Sequence, residues 1–568
     1  MVYFLPLSLL LLLIHGCSVL PKSSTVQQQK VKSAPVTVSK PFEPETLYAL
    51  LVAEIAGSRQ QYKVTLGNYI RQAYKTQDIG VIARAARIAQ FVGAHRPALE
   101  MGLLWLKHQP DSEQASAVVA TRLIAMGRLT DALSYADNAV KDGDKPLFET
   151  IALHSRKHKP STRDTLIEAY NELSAKQPTV VSIKIGLSIL YMLQSDNVKA
   201  LAVAERALDI DPEHIPAVMQ RAKILHLQQK TELAIDSIRA ALDQHPQDNR
   251  LRLLYARLLT KTDPDAAYQE FAYLSQQSPN QLDFKFSQAL LALQLEDYET
   301  AQALLSDLYD KNYKSDDTAY YLGRIAENNR QFDQALTYYL QVSQGANFFA
   351  AHTRVANIMI NRNEPDAVGN HFDELRKNHR EKEAKLYAVE AGVMTKAQQH
   401  QLALNTFDEG IVRFPDDIAL RYNRSLLYEK LDRVQSTEID LRHILTLDPD
   451  NVLALNALGY FLTSYTERYQ EALVMIEKAL SQRPDDPAIM DSMGWVLFHL
   501  GEYQQALDYL RRALDKFPDG EIAAHLGEVL WTIGEVQEAK AVWSRALVQQ
   551  PHDPRILKTL ERLNVTLD

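Results

Sequence analysis

Alanine recurs through this chain at steps of 33 to 36 residues. Ala98 and Ala132 are 34 apart; Ala200, Ala234, Ala267, Ala301 and Ala335 step by 34, 33, 34 and 34; Ala472, Ala506 and Ala539 step by 34 and 33. Prolines keep a parallel beat at Pro178, Pro212, Pro246 and Pro279, then at Pro415, Pro449, Pro484, Pro518 and Pro551. A fixed period near 34 residues marks a helix-turn-helix solenoid, in which each unit buries its apolar face on its neighbours. Such an array escapes the size limit on a single core, so 568 residues need not divide into several globular domains.

The clearest unit runs Met493, Gly494, Leu497, Gly501, Tyr503, Ala506, Leu510, Ala513 and Pro518. Gly494 and Ala506 are small where the two helices of the unit cross. Gly501 falls where the first helix ends and a left-handed backbone is favoured. Pro518 closes the second helix, because proline cannot continue a helix interior. The units around Gly459 and Ala472, Gly527 and Ala539, and Gly323 and Ala335 repeat the pattern. These residues resemble the tetratricopeptide repeat (TPR) family, strongly from about Lys199 to Pro551. The resemblance is weaker over 345–380 and 140–178. It implies an all-α, right-handed superhelical solenoid. The ladder from Ala98 to Ala539 holds 14 anchors, with less regular ones near Leu166, Val368, Ala403 and Thr437, so about 14 or 15 helix pairs are expected.

Composition agrees with helix and excludes several functions. Apolar residues make up 46% of the chain, and no sustained alternation argues for a sheet. A net charge of −9 offers no basic stripe for a nucleic acid.

The N-terminus reads differently. The apolar run Leu5–Ile14 fits the core of a secretion signal and is too short to span a bilayer. It ends in Ile14-His15-Gly16-Cys17, which resembles a bacterial lipobox, although His15 stands where small residues prevail and residues 1–4 carry no Lys or Arg. By that resemblance residues 1–16 are a lipoprotein signal and Cys17, the sole cysteine, carries the lipid. Ser18 after the cysteine implies sorting to the outer membrane. An uncleaved anchor or an ordinary secretion signal is the alternative. Residues 17–43 read as a flexible tether reaching roughly 25–30 Å. Beyond it, 44–198 are expected to hold degenerate repeats, 199–344 central repeats, 345–400 a second degenerate stretch and 401–568 the C-terminal repeats.

No catalytic constellation is present in the sequence: no phosphate loop, dinucleotide fingerprint, zinc-binding His-Glu-x-x-His or Gly-x-Ser-x-Gly elbow. His154 and His158 share a helix spacing, but lysines crowd them and no third ligand is apparent. The acid pairs Asp316-Asp317, Asp416-Asp417 and Asp485-Asp486 fall at unit boundaries, where they suit helix N-termini. A non-catalytic protein is expected, without cofactor, metal or small-molecule substrate.

Candidate binding residues lie at two places. Carrying the inner-face positions of TPR units over to the last three repeats brings up Tyr460, Trp495, Phe498 and Trp531, with Asn456 and Asp491 as polar partners. An aromatic groove suits a peptide or protein ligand; the alternative is packing within and between repeats. The first helix, beginning near Thr46, sets Leu47, Leu50, Leu51 and Ile55 near one face, with no unit before it to cover its other side. It is either a docking element or simply buried on the second helix.

The stretch Leu47-Tyr-Ala-Leu-Leu-Val-Ala-Glu-Ile-Ala-Gly, followed by Leu66-Gly-Asn-Tyr and Ala83-Arg-Ala-Ala-Arg-Ile-Ala, resembles the large TPR outer-membrane lipoproteins of pseudomonads. A member of that group is an adaptor that joins a periplasmic carboxyl-terminal processing protease to its peptidoglycan hydrolase substrates. The resemblance implies the same role here, at the periplasmic face of the outer membrane. A component of an exopolysaccharide-export or outer-membrane assembly complex is the other reading.

Overall fold

A computed structural model describes residues 41–139 and 146–567. The expected signal, Cys17 and most of the expected tether lie outside the described residues. Thirty-one α-helices follow in order, from α1 (Pro44–Ser58) to α31 (Pro554–Leu563), and no strand occurs among the described residues. The first thirty fall into fifteen consecutive helix pairs, and α31 stands after the last of them.

The anchor ladder sits in the second helix of each hairpin, from α4 (His95–His108) to α30 (Val536–Gln549). Ala98, Ala132, Leu166, Ala200, Ala234, Ala267, Ala301, Ala335, Val368, Ala403, Ala472, Ala506 and Ala539 are all fully buried, and Thr437 is 1% exposed. The irregular anchors thus occupy the same place as the alanines. Opposite them, the first helix carries a glycine where the partner side chain needs its volume. A Cβ on Gly494 would stand 2.5 Å from Leu510, one on Gly459 2.5 Å from Ile476, and one on Gly527 2.2 Å from Trp543. Where serine replaces this glycine, its hydroxyl finds a backbone partner, as Ser188 Oγ donates to the Ala200 carbonyl at 2.7 Å.

The turn inside a hairpin demands a left-handed residue in nearly every unit. Gly93, Gly127, Gly501 and Gly534 supply it with φ of 70°, 75°, 84° and 92°. Elsewhere Gln60, Ser195, Gln229, Glu296, Arg330, Asn363, Gln398 and Asp432 adopt it, with φ between 54° and 64°. Acidic N-caps start helices both inside and between hairpins: Asp196 and Asp297, within their hairpins, and Asp417, between two, accept from the amides of Lys199, Thr300 and Leu420 at 2.9–3.1 Å. Asp486 caps its helix through the Ala488 amide at 3.0 Å, in keeping with the boundary role expected of the acid pairs.

The chain divides into two compact units, residues 1–245 and 246–568. In the first, α7 (Leu147–His154) is short and α8 (Pro160–Lys176) long, and Tyr170 fills the space between them by donating to the Phe148 carbonyl at 2.7 Å. In the second, α18 (Phe332–Tyr339) stops after 8 residues and an irregular segment leads to α19 (Phe348–Asn361). Both interruptions lie in or beside the stretches where the repeat pattern weakens.

Candidate binding surfaces

Three first helices of the second unit carry the predicted C-terminal residues: α25 (Val452–Tyr465), α27 (Pro487–His499) and α29 (Gly520–Thr532), with α26 (Tyr469–Gln482) and α28 (Tyr503–Lys516) between them. Tyr460, Asp491, Trp495 and Phe498 come together, and a residue not foreseen, His525, organises them. The His525 ring lies 4.1 Å from the Trp495 ring in a stacked arrangement and 6.1 Å from Tyr460. His525 Nδ1 pairs with both Asp491 oxygens at 2.9 and 3.1 Å. Phe498 also stacks with Trp495 at 5.3 Å, and Trp495 Nε1 donates to Ser464 Oγ at 3.2 Å. The Tyr460 hydroxyl reaches two repeats onward to donate to Glu521 at 2.5 Å.

This cluster is closed. Asp491, Trp495 and His525 are all buried, and Tyr460 and Phe498 are half-buried. Burial works against a charge on His525, but the Asp491 carboxylate more than offsets it, so the imidazole stays protonated above its ordinary range. Burial, reinforced by Glu521, raises the Tyr460 hydroxyl. Trp531 stands apart, half-buried 6.1 Å from the fully buried Trp543. Asn456 is half-buried, and its Oδ1 atom is buried without a hydrogen-bond partner. The expected groove aromatics are therefore engaged largely with one another and with His525.

Asp491 lies three residues before Gly494 and His525 two residues before Gly527, so Ala524 rather than His525 holds the place equivalent to Asp491, and repeat alignment alone does not bring His525 forward. Polar pairs 29 to 31 residues apart, a few residues short of one repeat, recur along the chain: Arg84 with Glu54, Lys314 with Asp283, Arg362 with Asp333 and Lys516 with Asp485, at 2.5–3.1 Å.

An open surface of the second unit lies between α26 and α28, over α27. It is a cleft of about 630 Å³ with Met493 and Leu497 at its buried floor and Leu473, Leu480, Leu500 and Tyr509 along its walls. Two exposed carboxylates, Glu477 and Glu502, border it.

In the first unit, α1 exposes what the sequence singled out. Leu47 is 60% exposed, Leu51 57% and Ile55 46%, and Tyr48 joins them at 70%. Leu50 is half-buried against the cluster formed by Ala53, Tyr69 and Ala73. The helix turns Thr46, Ala53 and Ala56 toward α2 (Tyr62–Thr76) and leaves its outer stripe uncovered among the described residues. His154 is occupied by the Thr150 carbonyl at 2.9 Å. Among the described residues no group of three or more His, Cys, Asp or Glu could hold a metal ion, and no helix is long and apolar enough to cross a membrane.

Tetratricopeptide repeat models match residues 286–347, 450–519 and 497–563. A TPR repeat-containing protein of Pseudomonas aeruginosa is 36% identical over 524 residues, covering 91% of this chain and 89% of that protein. Anaphase-promoting complex subunit 7 of Mus musculus is 26% identical over 162 residues, covering 27% of this chain and 29% of that protein. Among solved structures, the APC/C hetero-tetramer Cut9-Hcn1 aligns over 91% of this chain and 96% of that chain at 13% identity, with a TM-score of 0.33.

Proposed function

The chain belongs to the tetratricopeptide repeat family, and from that premise we propose that it is a non-catalytic adaptor holding a periplasmic carboxyl-terminal processing protease together with its peptidoglycan hydrolase substrates. The observation that carries this reading is the run of helical hairpins within each unit together with two open surfaces, the apolar α1 stripe and the mixed polar and apolar α26–α28 cleft. Repeat proteins of this kind present extended surfaces to other proteins. Two partners held on one chain raise each other's effective concentration, so cleavage accelerates with no chemistry supplied by the adaptor. The near full-length match to the Pseudomonas TPR repeat-containing protein supports the repeat-scaffold part of this reading.

Under this proposal Cys17 carries the lipid and residues 18–43 are the tether that keeps the array at the periplasmic face of the outer membrane. Adding the purified chain to a processing protease and a purified hydrolase is expected to accelerate hydrolase cleavage. An unchanged cleavage rate overturns the adaptor reading, and recovery of a β-barrel or a polysaccharide synthase from membranes, with no protease, favours an export or assembly role instead. A Cys17→Ala chain is expected to leave the membrane fraction; retention there removes the lipid anchor from the proposal.

A further inference from the structure

One edge of the first unit is cationic and apolar at once. The chain reversals inside its first four helix pairs span residues 59–62, 91–96, 126–130 and 153–161. They stand side by side. The Tyr62 and Phe91 rings meet edge to face at 5.5 Å, Arg122 Nη1 lies 3.1 Å from His95 Nδ1, and a Cβ on Gly127 would come within 3.1 Å of the His158 ring. Each reversal exposes one large apolar side chain: Tyr62 by 37%, Phe91 by 75%, Met126 by 47% and Leu153 by 53%. Each also exposes at least one cation: Arg59, Arg96, Arg128, and then Arg156, Lys157 and Lys159 together. None of the four contains Asp or Glu. Later reversals do, as at Asp196, Asp297, Glu364, Glu502 and Glu535.

Much of the charge on this edge is uncompensated. Arg96 and Arg128 pair with Glu100 and Asp131, one turn into their own helices, at 3.3 and 2.7 Å. Asp164, near the fourth reversal, accepts from Gln194 Nε2 at 2.5 Å. The side chains of Arg59, Arg156, Lys157 and Lys159 make no hydrogen bond or ion pair among the described residues. Cations beside exposed aromatic and aliphatic side chains match the interface of an anionic bilayer, where phosphates meet the charges and apolar tips enter below the headgroups. Spread over four successive reversals, the charges form a row instead of a pocket. A row suits a surface of many phosphates better than a single acidic side chain.

We propose that this edge rests on the anionic surface of a phospholipid bilayer, with Tyr62, Phe91, Met126 and Leu153 entering the headgroup region and the cations meeting lipid phosphates. Each Lys or Arg held at such a surface strengthens binding about fivefold. Contact through four reversals also sets which edge of the first unit faces the bilayer, which a flexible tether alone leaves open. The contact requires neither a lipid on Cys17 nor a protein partner. Its failure therefore leaves the adaptor role untouched.

Vesicle sedimentation with the chain from Ser18 onward, free of the expected signal and lipid, tests this. It is expected to bind vesicles of phosphatidylethanolamine with about 30% phosphatidylglycerol far better than vesicles of phosphatidylcholine, and to lose binding as salt screens the charges. Arg156→Ser, Lys157→Ser and Lys159→Ser together are expected to weaken binding on the order of 100-fold. Lys75→Ser, Lys107→Ser and Lys176→Ser remove the same charge from the opposite edge, where second helices end, and are expected to leave binding unchanged. All six side chains are exposed, so neither variant threatens folding. The lysines of the expected tether, Lys22, Lys30, Lys32 and Lys40, are common to both variants. Equal binding by the two variants overturns the proposal, as does binding to phosphatidylcholine as tight as to the anionic vesicles. Binding to soluble polyglutamate but not to vesicles overturns it in favour of an acidic protein. The apolar tips give a second readout. Without Cys17, Phe91→Cys carries the sole thiol, and an environment-sensitive fluorophore there is expected to shift to shorter wavelength on anionic vesicles. The same label at Val412→Cys, 85% exposed in the second unit, is expected to keep its spectrum. No shift at Phe91→Cys also overturns the proposal.

Discussion

Helix α1 and helix α31 end the repeat array in opposite ways. Helix α31 buries Ile556, Thr559 and Leu560 on the last hairpin and turns Lys558 and Glu561 to solvent. Arg555 clamps it to Asp519 at 2.9 and 3.2 Å, and Arg562 pairs with the buried Glu528. Helix α1 buries two alanines and a threonine and turns four large apolar side chains outward. A terminal repeat needs a polar outer face to remain soluble alone. The C-terminal end has that face, while the N-terminal end carries a stripe that calls for a cover.

This contrast can be broken by stability measurements, the largest effect first. Ile556→Ala is expected to cost about 2–5 kcal/mol, as for other fully buried aliphatic side chains. Leu51→Ala, at an exposed position, is expected to change stability by less than about 0.5 kcal/mol. Similar shifts for the two in urea melts would show that α1 is as well covered as α31.

The second test concerns pH. Burial, helped by the neighbouring His371, lowers His352 in α19 to about 4. The folded value lies below the unfolded value near 6.5, so the stability it reflects is present above pH 6.5 and is lost as pH falls toward 4. The loss is expected to reach up to about 3 kcal/mol and to shrink in His352→Gln. His525 has the opposite sign: its raised value contributes stability below pH 6.5 that fades as pH rises through the folded value. Chemical denaturation of His352→Gln and of His525→Gln from pH 4 to pH 9 separates the two slopes. Parallel slopes would contradict the assignment.

Third, glycines in the first helices of the two end regions differ in the room around them. Gly494→Ala places a Cβ 2.5 Å from Leu510 and is expected to cost about 1–3 kcal/mol. Gly57→Ala, in the first hairpin, meets Thr65 at an ordinary 3.4 Å and is expected to be neutral or to gain up to about 1 kcal/mol. The smallest effect lies in the turns. Gln60 occupies the left-handed position at φ 60° that Gly534 fills near the other end, so Gln60→Gly is expected to stabilise by about 0.5–1 kcal/mol. Thermal melts of Gln60→Gly and of Gly534→Ala should move in opposite directions.

Much of this architecture was legible before any coordinates. Ala506, Leu510 and Gly494 recur with the period because every hairpin presents the same crossing to its partner helix. Leu166, Val368 and Thr437 departed from alanine but kept the beat, and all three are buried as the alanines are. The left-handed turn was readable at Gly501 and Gly534 but not at Arg330 or Gln398, where surrounding packing imposes a φ that the residue itself disfavours. The inner-face residues were legible only as positions. Trp495 looks like an exposed groove aromatic in its own repeat; His525 of the next repeat covers it.

The amino-acid sequence by itself determined the helical hairpin, its period, the number of copies and the residues that anchor each crossing. Those follow from contacts within one repeat and its immediate neighbour, which every period restates. Only the tertiary structure decided which apolar side chains remain open. Exposure depends on how closely successive inner faces approach, and on whether another helix lies beyond the last one. Hence Trp495, Asp491 and Tyr460 are closed by side chains one or two repeats away, while Leu47, Leu51 and Ile55 stay open because no helix precedes theirs among the described residues.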